Sequence, residues 1–262
     1  MNYQWYGKHG DEILSDDMPD YLAEVDVVLF GELHGNPLIH QLQQKITREL
    51  FNIRKHDLVL GTEMFEADNQ LILDEYLSGL ILHRHLVAEA KVWAGYATDY
   101  RPLVDFAREH GLRFIATNIP RRYANLVARE GLGALERLSD EAKRLIAPLP
   151  ITVDLATPGY QEMLGMNKGH GMGMEPGNFV AAQAIKDATM AHFILNNLTP
   201  DGLMVHFNGD YHSKRYGGIY WYLKQAVSDL AVLTIASVAR KSLTFGEECR
   251  DLGDFVLIVP EA

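Results

Sequence analysis

The chain has 262 residues, 47% of them hydrophobic, and a formal net charge of −11. That length builds one large domain or two small ones, and the acidic balance argues against a nucleic-acid partner, because such binding rests on clustered cations. The lone Cys249 excludes an internal disulfide and a multi-cysteine zinc or iron–sulfur site. No apolar run is long enough to span a membrane, so membrane attachment is not evident. Residues 1–20 are polar and aromatic, without the cationic start and apolar stretch of a secretory signal. The chain as given reads as cytoplasmic, or as a cell-envelope protein if a leader has been removed.

Taken in order, the first buried strand is expected at Val27–Phe30. Asn36 then suits an N-cap and Pro37 a first helical position. Leu38, Leu42, Ile46, Leu50 and Ile53 follow at helical spacing as one apolar stripe. A strand at Leu58–Leu60 precedes a helix after Asp68. A third helix runs from Leu103 to His110 and stops at Gly111. Phe114–Ala116 reads as a strand, and a helix from about Arg121 ends at Gly131. Another helix spans Asn178 to about Leu198, where Pro200 and Gly202 break it. Leu203–Phe207 is a strand, a helix follows Gly218, and Ala231–Ala236 and Phe255–Val259 are the last two strands. Short apolar runs alternating with helical patterns predict an α/β fold with a mostly parallel central sheet flanked by helices. The expected organisation is one domain over 1–262. Insertions near 78–100 and 132–177 interrupt it, and the second, rich in proline and glycine, reads as a mobile flap.

Two copies of one pattern stand 178 positions apart, Gly31-Glu32-Leu33-His34 and Gly209-Asp210-Tyr211-His212. Each follows a predicted strand, so each delivers a carboxylate and an imidazole to a strand end. In a parallel α/β sheet, ligands bind beyond those ends. The same rule gathers Glu63, Asn118, Arg121 and Arg122, then Asn208, Lys214 and Arg215. Any one of these is more often a helix cap or a solvated charge; four coincident strand ends favour a site.

The chemistry on offer has two forms. His34 and His212, with Glu63 or Glu32, could ligate a divalent metal while a second carboxylate activates water. Without metal, Glu32, His34, Glu63 and His212 supply acid–base groups for catalysis. The spacing matches no compact zinc motif. Arg121 and Arg215 suit a carboxylate or phosphate. Gln183 and Asp187, at i and i+4, share a helix face that either supports the strand-end cluster or is a capped surface. The flap holds Tyr160, Met163, Met166, His170, Met172 and Met174. Tyr160 and His170 are candidate haem ligands there, set against a plainer reading in which the methionines fill gaps.

Together these segments resemble the ChaN-like haem-binding family, within the broader group that includes Tiki and TraB proteins. The resemblance rests on Val27 to Pro37 with His40, on Glu63-Met64-Phe65 with Gln70, and on Ala116 to Arg121. Phe179 to Ala191 and Gly209 to Ile219 complete it. It implies an α/β fold and a role in haem or iron uptake, with haem held between two protomers of a homodimer through a tyrosine, for which Tyr160 is the candidate. The Tiki side of the group implies an alternative, a metal-dependent hydrolase in which His34, His212 and Glu63 act.

Overall fold

The computed structural model describes residues 2–166 and 175–261. His170, Met172 and Met174 therefore lie outside the described residues. The strands are β1 (Gln4–Gly7), β2 (Glu12–Ile13), β3 (Val27–Glu32), β4 (Leu58–Glu66), β5 (Arg113–Asn118), β6 (Leu203–Gly209), β7 (Val232–Arg240) and β8 (Phe255–Pro260). They form one sheet in the order β2-β1-β8-β7-β3-β6-β4-β5. Every pairing among β3 to β8 is parallel. The fold is the expected mostly parallel α/β sheet.

Strand alternation sends successive side chains to opposite faces. Val28, Phe30, Leu60, Val205 and Phe207 pack on one face under α2 (Pro37–Arg54) and α6 (Arg101–His110). Val27, Leu29, Val59 and Met204 pack on the other under α10 (Pro176–Asn197) and α11 (Gly218–Ala226). Both faces are covered, which is why these strands read as continuous apolar runs. Asn36 caps α2 as expected, its side chain accepting from the Leu38 and Ile39 amides at 3.1 and 3.2 Å. Gly111 ends α6 in the left-handed region at φ 65°.

Three expectations need correction. The N-terminal segment carries structure: β1 pairs antiparallel with β8, β2 with β1, and α1 (Met18–Ala23) follows. Strands of four and two residues are too short to show a period. β4 runs on to Glu66, so Glu63 sits within the strand, where the register against β5 shifts between Thr62 and Glu66. The buried face of α2 is Ile39, His40, Leu42, Gln43, Ile46, Thr47 and Leu50, while Ile53 is exposed. Three polar residues belong to that buried face: Thr47 donates to the Gln43 carbonyl, while His40 and Gln43 reach toward the strand-end residues. Of the insertions, 78–100 holds α4 (His83–Glu89) and α5 (Tyr96–Asp99). The segment 132–177 holds α8 (Asp140–Lys143) and α9 (Pro158–Met166). The helices α3 (Gln70–Leu77) and α7 (Arg121–Glu130) complete the connections.

Candidate functional site

β3 and β6 are neighbours in the sheet, which brings the two motifs together across 178 residues of sequence. Gly31 faces Asn208 and Glu32 faces Gly209, so the motifs run one residue out of step. That offset makes each glycine a seat for the other strand's motif. A Cβ on Gly209 would lie 2.7 Å from His34 Nε2, and a Cβ on Gly31 would lie 2.9 Å from Asp210 Oδ1. Only hydrogen at those Cα atoms leaves room for both motifs.

The first motif builds a carboxylate held from three sides. His34 Nδ1 donates to Glu32 Oε1 at 2.8 Å, and the Tyr100 hydroxyl donates to the same oxygen at 2.7 Å. Gln43 Nε2 donates to Glu32 Oε2 at 2.7 Å, and its own oxygen lies 3.0 Å from His40 Nδ1. This chain of polar contacts explains why His40 and Gln43 are buried on α2. Glu32 is fully enclosed, whereas the His34 side chain is 48% exposed. The hydrogen bond to Glu32 pushes the His34 imidazole above its ordinary pKa, against the effect of burial. Trp93 meets the His34 ring edge-on, with centroids 5.3 Å apart.

The second motif builds an imidazole held between two acids. His212 Nε2 lies 3.1 Å from Glu63 Oε1, and Nδ1 donates to Asp187 Oδ1. The Gln183 amide also packs 2.9 Å from Nδ1. Glu63 Oε2 accepts from the Gly209 amide at 2.7 Å, and Asp187 Oδ2 from the Tyr160 hydroxyl at 2.7 Å. Burial opposes a charged His212, but the two carboxylates outweigh it and raise the pKa to about 10. Burial likewise opposes a charged Glu63. His212 and the Gly209 amide prevail and bring it to about 2. For Asp187 burial wins, and its carboxyl is pushed up despite the same imidazole. Each acid has a second donor beside the shared imidazole, the Gly209 amide for Glu63 and the Tyr160 hydroxyl for Asp187.

Behind these groups, Asn118 Nδ2 donates to the Glu63 carbonyl at 3.0 Å. His206 bridges Thr117 at 2.7 Å and Asn208 at 3.1 Å, and burial lowers its pKa to about 4, leaving it neutral. Asp210 accepts from the Ser237 amide at 3.2 Å, and burial raises its carboxyl to about 6 against the pull of Lys214.

Both motifs open on a cleft of about 560 Å³ whose further walls include Leu33, Met163, Phe179, Lys186 and Tyr211. Glu32, His34, Glu63 and His212 thus share one site. Tyr160 is buried beneath it with its hydroxyl engaged by Asp187. Arg121 lines a separate cavity, and Arg215 lies 3.6 Å from Glu162 in another. Tyr100, Gln43 and Trp93 were missed by sequence reasoning. Gln43 carries a faint signal, a glutamine on the apolar stripe of α2.

The donor set does not suit a divalent metal. Both ring nitrogens of His212 are taken as donors to carboxylates, and His34 Nδ1 is taken by Glu32. Among the described residues, no group of three or more His, Cys, Asp or Glu side chains is placed to hold a metal ion. The divalent-metal expectation therefore finds no support.

An α/β sheet with paired strand-end carboxylate–imidazole motifs defines the class of protein. The chain belongs to the family described as haem-binding uptake, Tiki superfamily, ChaN, which matches residues 18–223. Among solved structures, that of cofacial haem binding to ChaN of Campylobacter jejuni is similar at 17% identity and a TM-score of 0.75. That match covers 98% of this chain and 96% of that one. The type III effector HopBA1 is similar at 14% identity and a TM-score of 0.51, covering 95% and 94%. A Bacillus cereus protein is similar at 13% identity and a TM-score of 0.50, covering 87% and 70%. At such identities the likeness shows the fold alone. No curated protein matches the chain in sequence.

Proposed function

We propose that this chain binds haem over the strand-end cleft and serves haem uptake or handling. The observation that carries the reading is the exposed aromatic rim on that cleft. Phe179 is 37% and Tyr211 47% exposed, in a family described by haem binding. A porphyrin needs an apolar face, an axial donor and cations for its propionates. Leu33, Met163 and Phe179 supply the first. Tyr211 supplies the donor: its hydroxyl has no hydrogen-bond partner among the described residues, and Lys214 Nζ sits 3.4 Å from its ring centroid. A phenolate is a known haem iron ligand. Tyr160, sealed against Asp187, is not given this role.

The Campylobacter jejuni structure shows cofacial haem binding. Carried over to this chain, that mode has two copies closing their clefts on a facing pair of haems, a homodimer assembled through its ligand. Haemin titration tests the reading. The expected result is a saturable Soret change at one haem per chain, with a shift to dimer in sedimentation. No Soret change at micromolar protein overturns it.

A second reading rests on a different observation: His34, oriented by Glu32 at 2.8 Å, faces the same open cleft. In it the pair acts as a metal-free general base on water, beside the sealed His212, making the protein a hydrolase. A broad esterase and peptidase screen tests it. Any activity found must vanish in His34→Ala, and an unchanged rate removes the reading.

A further inference from the structure

A second cavity, of about 670 Å³, lies beside the cleft at the carboxyl ends of β4 and β5. Its walls include Glu66, Lys91, Trp93, Arg121, Arg122 and Asn125. Its cations differ in commitment. Arg122 is paired with Asp68 at 2.5 Å. Lys91 and Arg121 are exposed, and neither has a carboxylate within 4.0 Å among the described residues. Two unpaired cations converging on one cavity are unusual in a chain of net charge −11. Glu66 tempers the field, and the amino-terminal end of α7, which begins at Arg121, adds to it.

Trp93 joins this cavity to the site already described. Its indole lines the cavity and also meets His34, which lines the cleft, with ring centroids 5.3 Å apart. The cleft and the cavity are thus separated by one aromatic side chain. The cleft offers a porphyrin apolar and aromatic surface, while the cavity adds three cations against one carboxylate, Glu66. A ligand with a flat apolar body and carboxylates on one edge matches the pair of compartments.

We infer that the Lys91–Arg121 cavity is a carboxylate-binding compartment that takes the propionates of haem seated in the neighbouring cleft, with Trp93 packed against the porphyrin edge. This rests on the haem reading above and fixes the direction in which the macrocycle lies. Arg121 is suited to a bidentate grip on one carboxylate, and Lys91 to a point-charge contact with the other.

The test compares haemin with haemin dimethyl ester, which keeps the porphyrin and iron but removes both carboxylate charges. Each is titrated into the wild type and the double variant K91A/R121A, with circular dichroism and a thermal melt confirming that the variant folds. Both substituted residues are exposed, so folding is expected to survive. The wild type should bind the ester about tenfold more weakly than haemin, the loss of roughly one good charge-assisted contact. The double variant should bind haemin about tenfold more weakly than the wild type does and no longer discriminate between the two porphyrins. A variant that keeps the wild-type preference, or a wild type that binds both porphyrins equally, overturns this inference alone. A wild type that gives no Soret response to either porphyrin overturns the haem reading, and this inference with it.

Discussion

The two motifs have the same pattern and opposite surroundings. His212 is buried between Glu63 and Asp187, with both ring nitrogens spoken for. His34 has one nitrogen on Glu32 and nearly half its side chain in the cleft. Sequence spacing is blind to this difference. It arises because α10 lays Gln183 and Asp187 across His212, while the His34 ring beyond its bond to Glu32 meets Trp93 and the cleft. The sealed arm holds a charge in place, and the open arm leaves its imidazole accessible from the cleft. A shared pattern therefore marks where a site is, and the packing around each copy decides what it does.

The largest expected effect comes from breaking the sealed arm. His212→Ala leaves two buried carboxylates facing each other without their cation and should cost about 3–5 kcal/mol in urea unfolding at neutral pH. A cost near that of an ordinary surface change would show that the arm is not a buried ion cluster. The pH dependence of stability sharpens the same point. The His212 pKa is raised in the fold, so its contribution is complete below about 6.5 and is lost as pH rises toward about 10. The Glu63 pKa is lowered, so its contribution is complete above about 4.5 and is lost as pH falls toward about 2. From these two groups, stability should be greatest between those limits, and the alkaline decline should vanish in a folded His212→Gln variant.

The open arm should be more tolerant. Tyr100→Phe removes one donor from the enclosed Glu32 and should cost roughly 1.5–3 kcal/mol, the range for a hydrogen bond to a charged group. His34→Ala should cost about 1 kcal/mol or less, because the ring is half-exposed and Glu32 keeps Gln43 and Tyr100. Equal losses from His34→Ala and His212→Ala would erase the contrast between the arms. The smallest effect on stability is expected from Tyr211→Phe, within about 0.5 kcal/mol for an exposed side chain. That variant should nevertheless alter the Soret band of the haem complex. An identical spectrum would remove Tyr211 as the ligand.

Much of this site can be read from the sequence because strand ends in a parallel sheet are a defined place. Val27–Phe30 and, apart from His206, Leu203–Phe207 are apolar on both faces, which sets the residues after them, Glu32, His34 and His212, at one edge. Asp187 was within reach through its spacing from Gln183 on α10. Tyr100 was not, because it sits at the end of an insertion whose path has no period to follow. Arg121 and Arg215 were visible as charges, but only the fold separates them from the cleft. His206 left a trace, a lone polar residue inside an apolar strand, whose meaning depends on Thr117 from β5. The hairpin of β1 and β2 was hidden by its brevity.

The pairing of β3 with β6 also sets a timetable for synthesis. Glu32 and His34 leave the ribosome well before Gly209 and His212, an interval of roughly ten to forty seconds at ordinary elongation rates. Until β6 arrives, with β7 later still, β3 lacks both of its neighbours and Glu63 lacks the imidazole that neutralises it. The centre of the sheet is thus among the last parts of the domain to close. A nascent chain halted before residue 203 should expose an apolar strand and a carboxylate awaiting its counter-charge, the kind of surface that chaperones bind.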